Sequence, residues 1–230
     1  MRAQSLAARF AVVSMLTWLA VPAWAADAGA IEKVSGNVTI LGADKVSRKA
    51  GTKDKIQSGD TVTTEAGSET LIKMSDNSSV ILRPNTQFQF TEYKYEKAAS
   101  DSSLVMLLRG TARLVTGLIG RRNPASFRAS TPTATIGIRG TDFEVAVIPE
   151  DRPDARAGVY DFVHDGATNI KIATGQSLDV KKDQTAFAPD KPKPGEEPLQ
   201  LLRERPIFLQ QGGGLDALIQ SITIPMPMMR

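Results

Sequence analysis

Cysteine is absent from all 230 residues, and histidine occurs once, at His164. With no thiolate and a single imidazole, disulfide chemistry is excluded and a His/Cys metal centre can hardly be assembled. Long apolar runs are missing too. The longest, Phe10 to Val21, has 12 residues, against about 20 for a membrane span. Nor is there a nucleophile elbow, a phosphate loop ending in Lys-Ser/Thr, or the Asp-x-Asp-x-Asp-Gly spacing of a calcium loop. Glu150, Asp151 and Asp154 share a loop but lack that calcium spacing. No cofactor, metal ligand or catalytic constellation is expected. A last absence is local: from Ser102 to Thr141 there is not one acidic residue.

The 12-residue run belongs to an export leader. Arg2 and Arg9 form its positive region, and Ala23-Trp24-Ala25 supplies an A-x-A cleavage site. Residues 1–25 therefore read as a cleavable signal peptide, and the mature chain as periplasmic or secreted with no transmembrane segment. No cysteine follows the leader, so lipid attachment of the bacterial lipoprotein type is excluded. Cleavage removes two of the 28 basic residues and none of the 25 acidic ones, lowering the net charge from +3 to +1. A nearly neutral exported protein has no general attraction to nucleic acid, and that partner is set aside.

From Ala30 onward the text is one of short β-branched and aromatic runs separated by turn residues. Thr70, Ile72 and Met74 share one strand face, Val80 and Leu82 the next, with the polar turn Ser75–Ser79 between them. Phe88 and Phe90 alternate with Gln87 and Gln89. Leu104 to Leu108 reads as a strand buried on both faces, turned at Arg109-Gly110 to return through Ala112 to Thr116. Gly117 to Pro124 reads as a loop. Val159–Val163, Asn169–Ala173 and Ser177–Val180 are three further strands. The expectation is an all-β domain over residues 26–189, a sandwich-like roll or a short solenoid. Residues 190–230 form a Pro- and Gly-rich linker and a mostly irregular apolar tail, with Gly212-Gly213-Gly214 as a flexible break.

The stretch Phe127 to Val147 organises this domain. Pro132 pushes Thr131 into an extended conformation, Thr133, Thr135 and Ile136 favour a strand, and Gly137 and Gly140 bracket Ile138-Arg139. The sequence Thr131-Pro132-Thr133-Ala134-Thr135-Ile136-Gly137-Ile138-Arg139-Gly140-Thr141 closely resembles the signature of the FecR domain, an all-β periplasmic module. The resemblance extends through Gly59–Thr64, Gly67-Ser68, Leu82–Thr86 and Arg109–Arg113, and covers about residues 31–189. The family usually has Asp-Gly-Ser where this chain has Asp76-Asn77-Ser78, and Asn tolerates the same left-handed turn. In the family's regulators this domain sits behind a membrane helix and a cytoplasmic anti-sigma segment. It receives a signal there from the periplasmic signalling domain of an outer-membrane, TonB-dependent transporter. A signal peptide stands here where those segments would be. The resemblance therefore implies a non-enzymatic envelope module working by protein contact, without sigma-factor control.

Three groups of residues could carry chemistry. His164 reads as a turn histidine, or as a base oriented by Asp161 or Asp165. Asp142 and Glu144, two apart on a strand, read as a solvated face, or as a carboxylate pair of the glycosidase kind. The acid-free window carries Arg109, Arg113, Arg121, Arg122, Arg128 and Arg139 and no lysine. Guanidinium suits fixed contacts with carboxylates and phosphates. The window reads equally as a positive face for a partner or as arginines paired inside the fold. As a partner surface, its members are Arg121, Arg122, Arg128, Arg113 and Arg109, directed at an envelope protein, with an anionic glycan or lipid headgroup as the alternative. Thr131, Pro132, Gly137, Arg139, Gly140 and Thr141 read as the structural motif, with Arg139 bonded inside the glycine corner.

Overall fold

The computed structural model describes residues 27–218. The leader of residues 1–25 and its cleavage point lie outside the described residues, as do positions 219–230.

The fold is all-β. Its strands in chain order are β1 (Asp27–Ser35), β2 (Val38–Leu41), β3 (Ser47–Lys49), β4 (Lys55–Gln57), β5 (Thr61–Thr64) and β6 (Glu69–Met74). They continue as β7 (Ser79–Leu82), β8 (Gln87–Lys94), β9 (Ser102–Val115), β10 (Phe127–Ser130), β11 (Ala134–Ile138) and β12 (Asp142–Ile148). The last are β13 (Gly158–Asp165), β14 (Ala167–Ile172), β15 (Ser177–Lys181), β16 (Thr185–Pro189) and β17 (Gln200–Leu201). Among the described residues there are also short helices, including α1 (Leu118–Arg122) and α2 (Ile207–Gln210). No helix among the described residues is long and apolar enough to cross a membrane.

All seventeen strands are linked by hydrogen bonds, but as two layers. The first runs β4-β1-β6-β7-β9-β12-β13-β16-β17. The second runs β3-β2-β5-β8-β9-β10-β11-β14-β15, with β9–β10 its one parallel pair. The 14-residue β9 belongs to both. Its first half pairs with β8 and β10, its second with β7 and β12. The expected turn at Arg109-Gly110 is therefore a bend within one strand that passes between layers. Gly110 makes it with φ +88°, a conformation that glycine adopts without penalty. The first half of β9 is buried on one face only, its residues alternating buried and half-buried, so the expected burial of Leu104–Leu108 on both faces does not occur. The hairpin β6–β7 is as expected, with Asn77 at φ +67° in its turn.

Between the layers lies one large apolar core, including Ile31, Ile40, Val62, Ile72, Leu82, Phe88, Phe90, Ile136, Phe143, Val163 and Ile170. Phe127 of β10 meets Phe143 of β12 edge to face at 6.3 Å, a contact from layer to layer. The layers differ in what covers their outer faces. Residues 202–218 lie over the outside of the first. There Leu209 packs with Ala146, Ile148, Tyr160, Phe162 and Phe187, and Leu215 packs with Leu71 and Ile81. β17 also adds an edge strand to β16. The polar outer face of the second layer has no such cover among the described residues.

Candidate interaction surface

Two groups of charges stand out, one sealed and one open. The sealed group lies under the C-terminal segment. Glu144 is 1% exposed, so the solvated strand face expected for Asp142 and Glu144 is not what forms. Arg83 Nε and Nη2 both donate to Glu144 Oε1 at 3.0 Å. On Oε2 converge Arg205 Nη2 at 3.2 Å and His164 Nε2 at 3.3 Å. Burial pushes the Glu144 carboxyl up, but the His164 bond and the Arg83 charge outweigh it and hold it below the usual carboxylate range. The Arg205 guanidinium stacks 3.9 Å over the Phe162 ring. Asp142 takes Arg113 through two bonds, 2.9 Å from Nε and 2.6 Å from Nη2.

His164 thus faces Glu144, and neither Asp161 nor Asp165 orients it. Asp161 points instead into the core, where it accepts a 2.6 Å bond from Thr168 Oγ1. The sealed group holds the C-terminal segment down. Asp216 reaches Arg83 at 2.8 Å and Arg113 at 3.4 Å. The Gly212–Gly214 run is a close crossing as well as a break: a Cβ on Gly213 would collide with the Glu69 carboxylate and the Arg83 guanidinium. Asp216→Ala should leave the domain folded while loosening this segment, at a cost of about 1–3 kcal/mol for lost bonds to charged groups. Hydrogen exchange resolved by segment checks it: residues 202–218 should exchange faster while the β9–β12 pairing is unchanged. Equal protection in both proteins would show that the apolar contacts alone hold the segment.

The open group is drawn from the acid-free window. Arg113, half-buried against Asp142, is paired within the fold and does not belong to an open surface. Arg109 is exposed at the β9 bend, beside Glu150 and Asp151 in a concavity of about 350 Å³. Arg121, Arg122 and Arg128 are exposed, with no side-chain hydrogen bond or ion pair among the described residues. Arg139 departs from the sequence reading. It is exposed too, and its bonds are made by its backbone N–H, to Thr141 Oγ1 at 3.1 Å and the Ala167 carbonyl at 2.9 Å. Four of these five exposed arginines, Arg121, Arg122, Arg128 and Arg139, gather at one end of the sandwich, away from Arg109. Arg121 and Arg122 form the last turn of α1, and Asn123, whose side chain accepts from Ala125 N–H, begins the 3₁₀ turn Pro124–Ser126 that leads into Arg128.

The signature residues build this end. Thr131 Oγ1 accepts from Ala134 N–H at 2.9 Å and shapes the β10–β11 turn, leaving Pro132 exposed. Thr141 ties the corner down: its N–H donates to Thr116 Oγ1 at 2.9 Å, and its hydroxyl to the Ala167 carbonyl at 2.7 Å. Gly140 has φ +65°. Gly137 does not have a positive φ and lies within β11. Among the described residues no group of three His, Asp or Glu side chains comes together that could hold a metal ion.

A two-layered all-β module with a threonine-clamped glycine corner and an arginine-bearing end is the class of protein this geometry defines. The model of the FecR protein family matches residues 60–176, half of the chain, and the protein belongs to that family. Two crystal structures of a candidate anti-sigma factor from Parabacteroides distasonis ATCC 8503, at 1.65 and 2.50 Å resolution, are similar in fold. Each match has a TM-score of 0.50 and 17% identity and covers 65% of this chain and 62% of that one. The likeness thus spans less than two thirds of the relative. No curated protein compared with the chain matches it.

Proposed function

We propose that the protein is an exported, non-enzymatic sensory or interaction module that works by contact with another protein of the cell envelope. One observation carries this reading: four arginines are held at one end of the sandwich with their guanidinium groups unpartnered among the described residues. The segment 117–130, which carries three of them, is itself well fixed, since Leu118 N–H donates to the Asp76 carbonyl and Ile119 N–H to Asp76 Oδ2, and the Arg139 backbone N–H is bonded to the Ala167 carbonyl. With the backbone fixed, binding has to order only the arginine side chains, at about 0.5–1.5 kcal/mol each, and their guanidinium groups meet carboxylates as planar forks. Family membership supports a regulatory role, and the anti-sigma relative points the same way. The leader in the sequence supports the periplasm as the place.

The test is retention of envelope proteins on the immobilised mature chain, followed by titration of whatever is retained. Replacing Arg121 and Arg122 together by Ala should leave stability within about 0.5 kcal/mol, as for ordinary surface changes. Affinity should fall by about ten-fold or more, since bonds to charged groups are worth about 1.5–3 kcal/mol each. The loss should be larger at low salt, because exposed charges are screened over about 8 Å at physiological ionic strength. Retention of no envelope protein would remove the contact reading itself.

A further inference from the structure

The signature Gly137-Ile138-Arg139-Gly140 contains a glycine with no structural reason to be one. Gly137 lies inside β11 at an ordinary strand φ, and a Cβ there would meet only the Asn169 carbonyl, at 3.9 Å. Nothing in packing or backbone geometry forbids a side chain. What its absence leaves is space: a shallow groove of about 440 Å³ between the Pro124–Ser126 turn and β14. A glycine inside a strand marks a place where a ligand or another backbone comes close.

Two cations flank that floor. Arg128 is the register partner of Gly137 across β10–β11, and Arg139 follows Gly137 by two residues on the same face. Both line the groove with Phe127, Ile138 and Asn169. Neither side chain has a hydrogen bond or ion pair among the described residues. The other charges on this face leave them positive. Asp179 sits at the end of the row Arg128–Gly137–Asn169–Asp179. That is three strand spacings from Arg128, about 14 Å, and beyond the screening length of about 8 Å. Asp179 also accepts the Asn169 amide at 2.7 Å. Glu92, the cross-strand partner of Leu104 on the other side of Arg128, receives the Ser102 hydroxyl at 2.7 Å. Asp165, in the turn beside the corner, pairs with Lys182. Lys171 and Lys181 stand exposed farther along β14 and β15.

We infer that this groove is the recognition site for an extended acidic segment of a protein partner. Its carboxylates are taken by Arg128 and Arg139, and its backbone crosses above Gly137. The inference rests on the protein-contact reading above and names the site and chemistry of that contact. An acidic peptide fits better than a polyanionic glycan because the groove is short and its floor at Gly137 is bare strand backbone, which an extended chain can approach closely. Two planar forks across a bare backbone floor match spaced carboxylates on an extended chain.

The probe is an end-capped octapeptide alternating Glu and Ile, with its Gln-Ile counterpart and a sulfated oligosaccharide as controls. Titration of the mature chain, followed through backbone amide NMR shifts, should show saturable shifts at Gly137 and Asn169 for the Glu peptide. Arg128→Ala and Arg139→Ala should each weaken that binding about ten-fold with unchanged melting. Gly137→Val should melt at or above the wild-type temperature, since β-branched residues suit strands, yet lose the peptide by filling the floor. Equal binding of the Gln peptide, preference for the sulfated oligosaccharide, full peptide binding by Gly137→Val, or no binding of the Glu peptide would each overturn the inference. If envelope proteins are retained equally by wild type and these three variants, the groove is refuted while the protein-contact reading stands.

Discussion

Gly110→Val should lose a large share of the domain's stability, and Gly140→Val should lose less, although both glycines have a positive φ, +88° and +65°. The backbone term is shared: a β-branched residue held in the left-handed region costs about 1–3 kcal/mol. Surroundings separate the two. A Cβ on Gly110 would lie 2.5 Å from Thr86 Cα and 2.8 Å from the Asn85 carbonyl. These are backbone atoms that cannot swing aside. Thr86 is also fixed by its neighbours: its hydroxyl donates to the Thr111 carbonyl at 3.1 Å and accepts from Thr111 N–H at 3.0 Å. Relieving the collision means unbending β9 where it passes between layers, so an overpacking cost of about 1–3 kcal/mol adds to the strain. The expected total, about 2–6 kcal/mol, is a large share of a typical 5–15. A Cβ on Gly140 meets nothing within 4 Å, so only the strain of about 1–3 kcal/mol applies there. Urea melts of the two variants check the order. A Gly110→Val protein as stable as Gly140→Val would mean that the β9 bend yields easily.

That contrast also shows what the sequence could and could not disclose. Both glycines stand in recognisable turn contexts, and strand alternation announced an all-β fold. Nothing local distinguishes a strand that returns at Arg109-Gly110 from one that bends and continues. The difference lies in Thr86, which occupies the inside of the bend. Glu144 departs from its sequence pattern for a related reason. An acid two residues from another on a strand resembles a solvated face, whereas its partners Arg83, His164 and Arg205 come from distant strands and the C-terminal segment. Short-range pattern carries no information about that cover. Arg139 erred in the opposite direction: glycines on both sides suggested a pinned side chain, but what they pin is its backbone. Arg121, Arg122 and Arg128 needed only the acid-free window to be noticed. Whether they were free or paired was a tertiary question, as Arg113, paired with Asp142, demonstrates.

Asp161→Asn should raise stability at neutral and alkaline pH and flatten its dependence on pH. Asp161 is fully buried between the layers, with Oδ2 bonded to Thr168 and Oδ1 without a partner. Burial pushes its carboxyl from 3.8 up to about 7, only partly offset by the Thr168 bond, and among the described residues no cation pairs with it. The folded protein therefore holds a proton that the unfolded chain releases near 3.8. Between these values the native state binds more protons, so stability falls as pH rises. The contribution is complete below about 4 and lost above about 7, a swing of about 4 kcal/mol at 1.36 per unit. Glu144 works in the other sense: its lowered value gives stability that is present above the unfolded carboxylate range and lost as acid is added. Asn keeps the Thr168 bond without the ionisation, although its amide protons need partners of their own. The net gain at pH 8 should thus be about 2–3 kcal/mol, part of the swing being offset by an unsatisfied donor. At pH 4, where the ionisation term has nearly vanished and only the unsatisfied amide donor remains, the variant should be the less stable by about 1–2 kcal/mol. Urea melts at pH 4, 6 and 8 decide it: a stability difference between the two proteins that is constant across all three would show that Asp161 does not titrate in this range.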